Sequence, residues 1–348
     1  MNCKKLSLAI VALAALVAAP LRAAVTFNLI AEAGTPQVAI DGFSAAASLW
    51  SSKLADNITV NIEIGYASLG ANILGQTQSW VGDAPYSLVK QALAADRSSA
   101  DDYSSYAALP TGSSYSRLIN HTSNDPSGAN SSTPYLDTTM NMLEMTSANA
   151  KALGLLAPST ELDAIIRFSS DFSFDFNHSN VAAGKYDFVG MAAHEIGHAL
   201  GFISGVDDID YYKGVYPGSD FYSSLLDLYR FSALSSAQGA GVTDYTADTR
   251  NKYFSVDGGL TSIALFADGT NYGDGRQASH WKDNLGIGIM DPTASYGEKL
   301  NLSATDLRAF DVLGYTLTPV PEPGNVLELC GLVAGAMFLR TRRKTMPI

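Results

Sequence analysis

Residues Phe188 to Phe202 read Phe-Val-Gly-Met-Ala-Ala-His-Glu-Ile-Gly-His-Ala-Leu-Gly-Phe, a run that is apolar except at His194, Glu195 and His198. The pattern predicts a helix, with Val189, Ala192, Ala193, Ile196, Ala199 and Leu200 on its other faces and Gly201 as a stop or bend. Histidines at i and i+4 share a helix face, so these two imidazoles converge on one point. Zinc prefers neutral imidazole nitrogen in tetrahedral geometry. Glu195, one step round the helix, can hold the water that such an ion activates and take its proton. The rest of the chain has to pack around this helix.

A catalytic zinc site needs three protein ligands and an open position. With only 5 histidines in the chain, the remaining ones are His121, His178 and His280. His121 lies in a Ser-rich stretch and reads as a solvated loop residue. His178 falls between a strand signal and the helix and is a candidate. Asp207, Asp208 and Asp210 follow closely; they read as a third ligand, a solvated acidic turn or a calcium site, with Asp207 the alternative zinc ligand. His280 is the preferred residue. It lies in Ala278-Ser279-His280-Trp281-Lys282-Asp283-Asn284, followed by Gly288-Ile289-Met290-Asp291-Pro292.

H-E-x-x-H-x-x-G-F, a long insertion, then Ser-His-Trp and a later Met resembles the leishmanolysin (invadolysin) branch of the metzincins. The extended metzincin motif has its third histidine three residues after the glycine, where this chain has Ser204. In the leishmanolysin branch that ligand arrives after an insertion. The resemblance implies His194, His198 and His280 as zinc ligands, Glu195 as general base and Met290 as the Met-turn, a hydrophobic floor beneath the ligands. It implies an α+β, metzincin-like zincin with a mixed sheet and the active-site helix in an N-terminal subdomain, 24–204. A smaller C-terminal subdomain, 205–318, would contain the third ligand and the Met-turn. The activity implied is that of a zinc metalloendopeptidase acting on protein or peptide. Tyr296, six residues after Met290, is positioned as a candidate oxyanion-stabilising phenol and also reads as a surface tyrosine. The family's cysteine-switch latency has no cysteine to use here, and no recognisable propeptide precedes the first strand.

Elsewhere the patterns are local. Val25–Ile30 predicts a strand, residues 39–54 an amphipathic helix through Phe43, Ala46, Ala47 and Trp50, and Asn57–Ile64 a half-buried strand. Residues 84–97 read as helical. Ser98–Thr133 is rich in Ser, Asp, Tyr, Gly and Asn and predicts a long surface loop. Ala164–Phe168 predicts a strand, and the resemblance makes the stretch around Ile165–Phe174 suited to be the edge that pairs with an extended peptide. Ser303-Ala304-Thr305-Asp306 resembles a capping box opening a helix that stops at Gly314. Asp268–Gly275 is acidic and Gly-rich, a candidate calcium loop that matches no EF-hand.

The ends read as targeting segments. Lys4-Lys5, the apolar run Leu6–Ala19 and small residues after it make 1–23 a signal peptide. Segment 319–348 has Pro321-Glu322-Pro323, an apolar stretch Gly324–Leu339 and the basic cluster Arg340 to Lys344. It resembles the PEP-CTERM sorting signal of Gram-negative bacteria. That implies a transient inner-membrane anchor, removal by exosortase-type sorting machinery, and delivery to the cell surface or outside.

The whole chain carries a net charge of −12, and seven of its 22 basic residues but only two of its 34 acidic ones lie in those ends. So acidic a body repels phosphate backbones, which excludes nucleic acid as a partner. Both cysteines, Cys3 and Cys330, also lie in the ends, leaving the body no disulfide, thiol nucleophile or thiolate metal site. The rival reading is a non-catalytic extracellular or matrix surface protein retaining a zinc site. Glu195 weighs against it, because a structural site needs no general base.

Overall fold

In a computed structural model of the chain, residues 24–71 and 73–319 are described; the expected signal peptide and nearly all of the expected sorting segment lie outside them. The β-branched alternation around Thr59 forms a central strand. Strands β1 (Thr26–Ala31), β2 (Thr59–Ala67), β3 (Gly75–Ser79) and β4 (Ala164–Ser169) build one mixed sheet in the order β1-β2-β4-β3. The first three in that order are parallel, and β3 closes the sheet antiparallel to β4, with Thr77 opposite Ile166. β4 is therefore an interior strand. The expected peptide-facing edge around Ile165–Phe174 is corrected: the edge is β3, whose Gly-Gln-Thr-Gln-Ser sequence has no apolar alternation to betray it.

Helix α1 (Gln37–Ser51) packs on this sheet through Phe43, Ala46, Ala47 and Trp50, all buried. Phe43 meets Phe168 and Phe188 edge-on at 5.7 and 5.2 Å. Helix α2 (Phe188–Ala199) carries the His-Glu-x-x-His run and lies against α1, where the Trp50 indole donates to the carbonyl of Ala193 at 2.8 Å. A third helix, α3 (Ala304–Val312), opens with the Ser303/Asp306 capping box and ends before Gly314, as its sequence predicts.

Ser98–Thr133 differs from the predicted surface loop. It contains a helix, Ala100–Ala108, opened by a Ser99/Asp102 capping box, and a strand, Tyr115–Ile119. Arg117 in that strand is fully buried. Its guanidinium donates to Ser223 and to the carbonyl of Gly218, pairs with Asp137, and lies over the Tyr245 ring. Hydrogen bonds, not an apolar period, fold this segment. His121 is likewise no solvated residue: it is buried and stacks flat on Tyr272, with ring centroids 3.6 Å apart.

Beyond α2 the chain becomes irregular, with strands of two or three residues at Ser223–Ser224, Arg230–Phe231, Thr243–Asp244, Lys252–Phe254 and Ala264–Phe266. Strands on either side of the expected 204/205 division pair with each other: Ser223–Ser224 joins Met142–Thr146, and Thr243–Asp244 joins Tyr115–Ile119. One main apolar cluster runs from Val25 to Tyr315, with a smaller one around Ile209, Phe221 and Tyr245. The fold is mixed α+β. Among the described residues no helix is long and apolar enough to cross a membrane.

Candidate metal centre

Helix α2 is capped by Asp187, whose carboxylate accepts from the backbone N–H of Gly190 at 3.1 Å and from that of Leu300. The His178 ring meets the same carboxylate at 2.8 Å, so His178 steadies the helix cap and is no part of the histidine cluster. At the other end Gly201 adopts φ +118°, a backbone conformation open to glycine, and the chain folds back. That reversal presents the carbonyl of Phe202 to Nδ1 of His198 at 2.7 Å.

His280 is delivered by a different device. The carboxylate of Asp207 accepts from the backbone N–H groups of Ala278 and Ser279, at 2.6 and 3.2 Å, fixing the segment just before it. On the far side Trp281 is fully buried, stacked on Phe266 at 5.0 Å and edge-on to Phe202 at 4.9 Å. The Trp281 indole donates to Oδ1 of Asp306, and the backbone N–H of Ile289 donates to Oδ2 of the same carboxylate, both at 2.8 Å. The capping residue of α3 thus holds both His280 and the Met290 turn in place. Asp207, expected as an alternative ligand, is a support of the His280 segment instead. Ser204, at the extended motif's ligand position, donates to Asp227 at 2.6 Å.

These supports bring His194, His198 and His280 together. Their Nε2 atoms lie 3.1, 3.2 and 3.3 Å from one another. Each ring turns Nδ1 to a backbone carbonyl: Ile289 at 2.7 Å, Phe202 at 2.7 Å and Gln277 at 3.2 Å. A neutral imidazole donating through Nδ1 leaves a lone pair on Nε2. Three lone pairs face one another here, an arrangement that repels unless a cation sits between them. Zinc–nitrogen bonds of about 2.0–2.1 Å at tetrahedral angles place ligand nitrogens about 3.3–3.4 Å apart, so the donor set fits such an ion. Burial pushes His198 down to about 3, with His194 adding to it, and burial with both neighbouring rings pushes His280 well below the usual range. Both stay in the neutral, ligating form. Among the described residues this is the one group of three side chains placed to share a metal ion.

Met290 is fully buried beneath α2. A Cβ at Gly197 would lie 2.5 Å from its sulfur and 3.3 Å from the Trp50 ring, so the glycine inside the motif is the space that Met290 occupies. Tyr296 is exposed and pairs with Tyr186 at 4.3 Å; neither ring is among the residues lining the cleft. In the candidate calcium loop, Asp268 and Asp274 pair with Lys282, and Asp210 accepts the backbone N–H groups of Asn271 and Tyr272.

The three histidines sit in an open cleft of about 770 Å³. Its lining includes β3 with Ile73 and Leu74, Ile203, Ser204, Asp207 and Asp208, and the segments around His280 and Asp291–Ala294. Glu195 lines the floor. Burial pushes its carboxyl above the usual range, while His194 and the Thr77 hydroxyl oppose that. The walls are acidic: burial, with Asp208, Asp83 and Asp227, pushes Glu144 up to about 7. A water in this cleft would meet both a base and the open side of the histidine cluster.

Sequence reasoning missed Thr77, whose hydroxyl touches Glu195, and the reach of Asp306. Asp306 had a readable signal as a capping residue; Thr77, in a short polar strand, had none. No protein-family model, curated protein or solved structure matches the chain.

Proposed function

We propose that the chain is a zinc-dependent endopeptidase of metzincin type, resembling the leishmanolysin branch, exported and sorted to the cell surface or beyond. The observation that carries this reading is the placing of three convergent imidazoles and a buried carboxylate in an open cleft beside a sheet edge that has no partner strand among the described residues. When bound, zinc supplies Lewis acidity, lowering the pKa of a water towards ~7 and polarising a carbonyl.

The chain's own residues do the rest. The backbone carbonyls of Ile289, Phe202 and Gln277 hold the three rings in the tautomer that ligates. The free edge of β3 takes an extended peptide antiparallel through main-chain hydrogen bonds, setting its scissile carbonyl over the cleft floor. Glu195 removes a proton from the attacking water and returns it to the leaving amine. Its raised pKa suits both tasks. Metzincin descent, export and sorting rest on the sequence motifs alone.

The test is cleavage of an unfolded protein by the purified, zinc-loaded chain beside Glu195→Gln. The variant is expected to keep its zinc and lose turnover by about 10²–10⁴-fold. Near-full activity in Glu195→Gln, or a zinc-loaded wild type that cleaves nothing, would overturn the reading and favour the non-catalytic surface protein.

A further inference from the structure

We infer that Thr77 is the positioning residue of Glu195, tying the proposed general base to the strand that the substrate joins. Thr77 stands in the middle of β3 with its side chain turned inwards, while Gln76 and Gln78 on either side are exposed. Its hydroxyl oxygen lies 2.6 Å from Oε2 of Glu195 and 3.0 Å from that residue's backbone carbonyl. A hydroxyl carries one proton. The shorter, charge-assisted bond to the carboxylate is the stronger claim on it. Among the described residues no other group donates to this carboxylate. A buried carboxylate with a single donor takes its orientation from that donor.

The donor's position in the fold gives the contact its meaning. β3 is held on one side by β4 and, among the described residues, is unpaired on the other. An extended peptide completing that side would pin β3, and with it the Thr77 hydroxyl and the Glu195 carboxylate. Docking of substrate and alignment of the base are then one event. Misplacing a reacting group by about 1 Å costs on the order of a hundredfold in rate, so a strand that carries both functions governs kcat more than binding.

The inference rests on the endopeptidase reading, and two variants test it. Thr77→Val keeps the shape and removes the hydroxyl; Thr77→Ser keeps the hydroxyl. Thr77→Val is expected to lower kcat about 10- to 100-fold, the effect of losing one hydrogen bond to a charged group. KM should stay within about twofold and zinc content should not change, while the melting temperature should fall by only a few degrees, leaving the protein folded at assay temperature. Thr77→Ser should restore most of kcat. A peptide hydroxamate, titrated calorimetrically into the zinc-loaded chain, should bind about tenfold more weakly to Thr77→Val and normally to Thr77→Ser.

The inference falls if Thr77→Val keeps kcat and hydroxamate affinity within twofold, if Thr77→Ser is no better than Thr77→Val, or if zinc content falls in step with activity. The two claims separate cleanly. A wild type that cleaves nothing, yet binds the hydroxamate better than Thr77→Val does, sinks the endopeptidase and keeps the positioning residue. A cleaving wild type matched by Thr77→Val does the reverse.

Discussion

The two regions that meet at the histidine cluster are built on different principles. One is the four-stranded sheet β1-β2-β4-β3 with α1 and α2 packed on it, ordered largely by apolar periodicity: Phe43, Trp50, Ile62, Ile64, Ile166 and Phe188 are all fully buried. The region from Gly201 to Ser303 has few regular elements and is ordered by buried carboxylates that collect backbone N–H groups. Asp207 holds the His280 segment, Asp227 accepts from Ser224 and Gly205, and Asp306 accepts from Ile289 and Ser303. One region supplies two histidines from a rigid helix. The other supplies the third from a loop made rigid by hydrogen bonds. Stability and site geometry are thus separable, and perturbing each region should move a different observable.

The largest loss of stability is expected in the regular region. Phe43→Ala removes an aromatic ring from between Phe168 and Phe188 and should cost about 3–5 kcal/mol in chemical denaturation. Zinc affinity of the folded fraction should stay within about threefold. Asp306→Ala should cost about 2–3 kcal/mol, because the N–H groups of Ile289 and Trp281 lose their acceptor. It should also weaken zinc binding about 10- to 100-fold, the usual toll of removing a partner that orients metal ligands. Equal effects of the two variants on zinc would erase the contrast.

The smallest effect is a gain. Asp311 on α3 is buried beside Asp102 and Asp101, and burial, with those carboxylates adding, pushes it up to about 7. A carboxyl whose folded pKa is raised contributes stability that is whole below its unfolded pKa near 3.8 and is lost as pH rises through 7. Asp311→Asn should therefore stabilise the chain by ~1 kcal/mol at pH 8, raising the melting temperature by about 2–4 °C, and do little at pH 4. A gain independent of pH would contradict that placement of the charge.

The same contrast explains what the sequence disclosed. Helix α2 and the helix through Trp50 are legible because apolar side chains recur at helical spacing. The capping box at Ser303 is legible because it depends on residues three apart. The edge strand β3 is not, since its residues are Gly, Gln, Thr and Ser and its place is set by pairing with β4 across some ninety residues of chain. Buried Arg117 and the support of His280 by Asp207 are illegible for a related reason. Their partners are distant in sequence, and a hydrogen bond leaves no period. Within the site, His194, Glu195 and His198 follow from spacing. His280 and Met290 could be singled out only through the resemblance carried by the Ser-His-Trp segment and the later methionine, since the elements that carry them have no pattern of their own.

On the proposed reading, the irregular region completes one zinc site with the regular one. Calorimetric titration of zinc into the metal-free chain, wild type beside His280→Ala, tests it most directly. One zinc per wild-type chain is expected, with binding weakened about a hundredfold or more in the variant. Equal stoichiometry and affinity in the two proteins would contradict it.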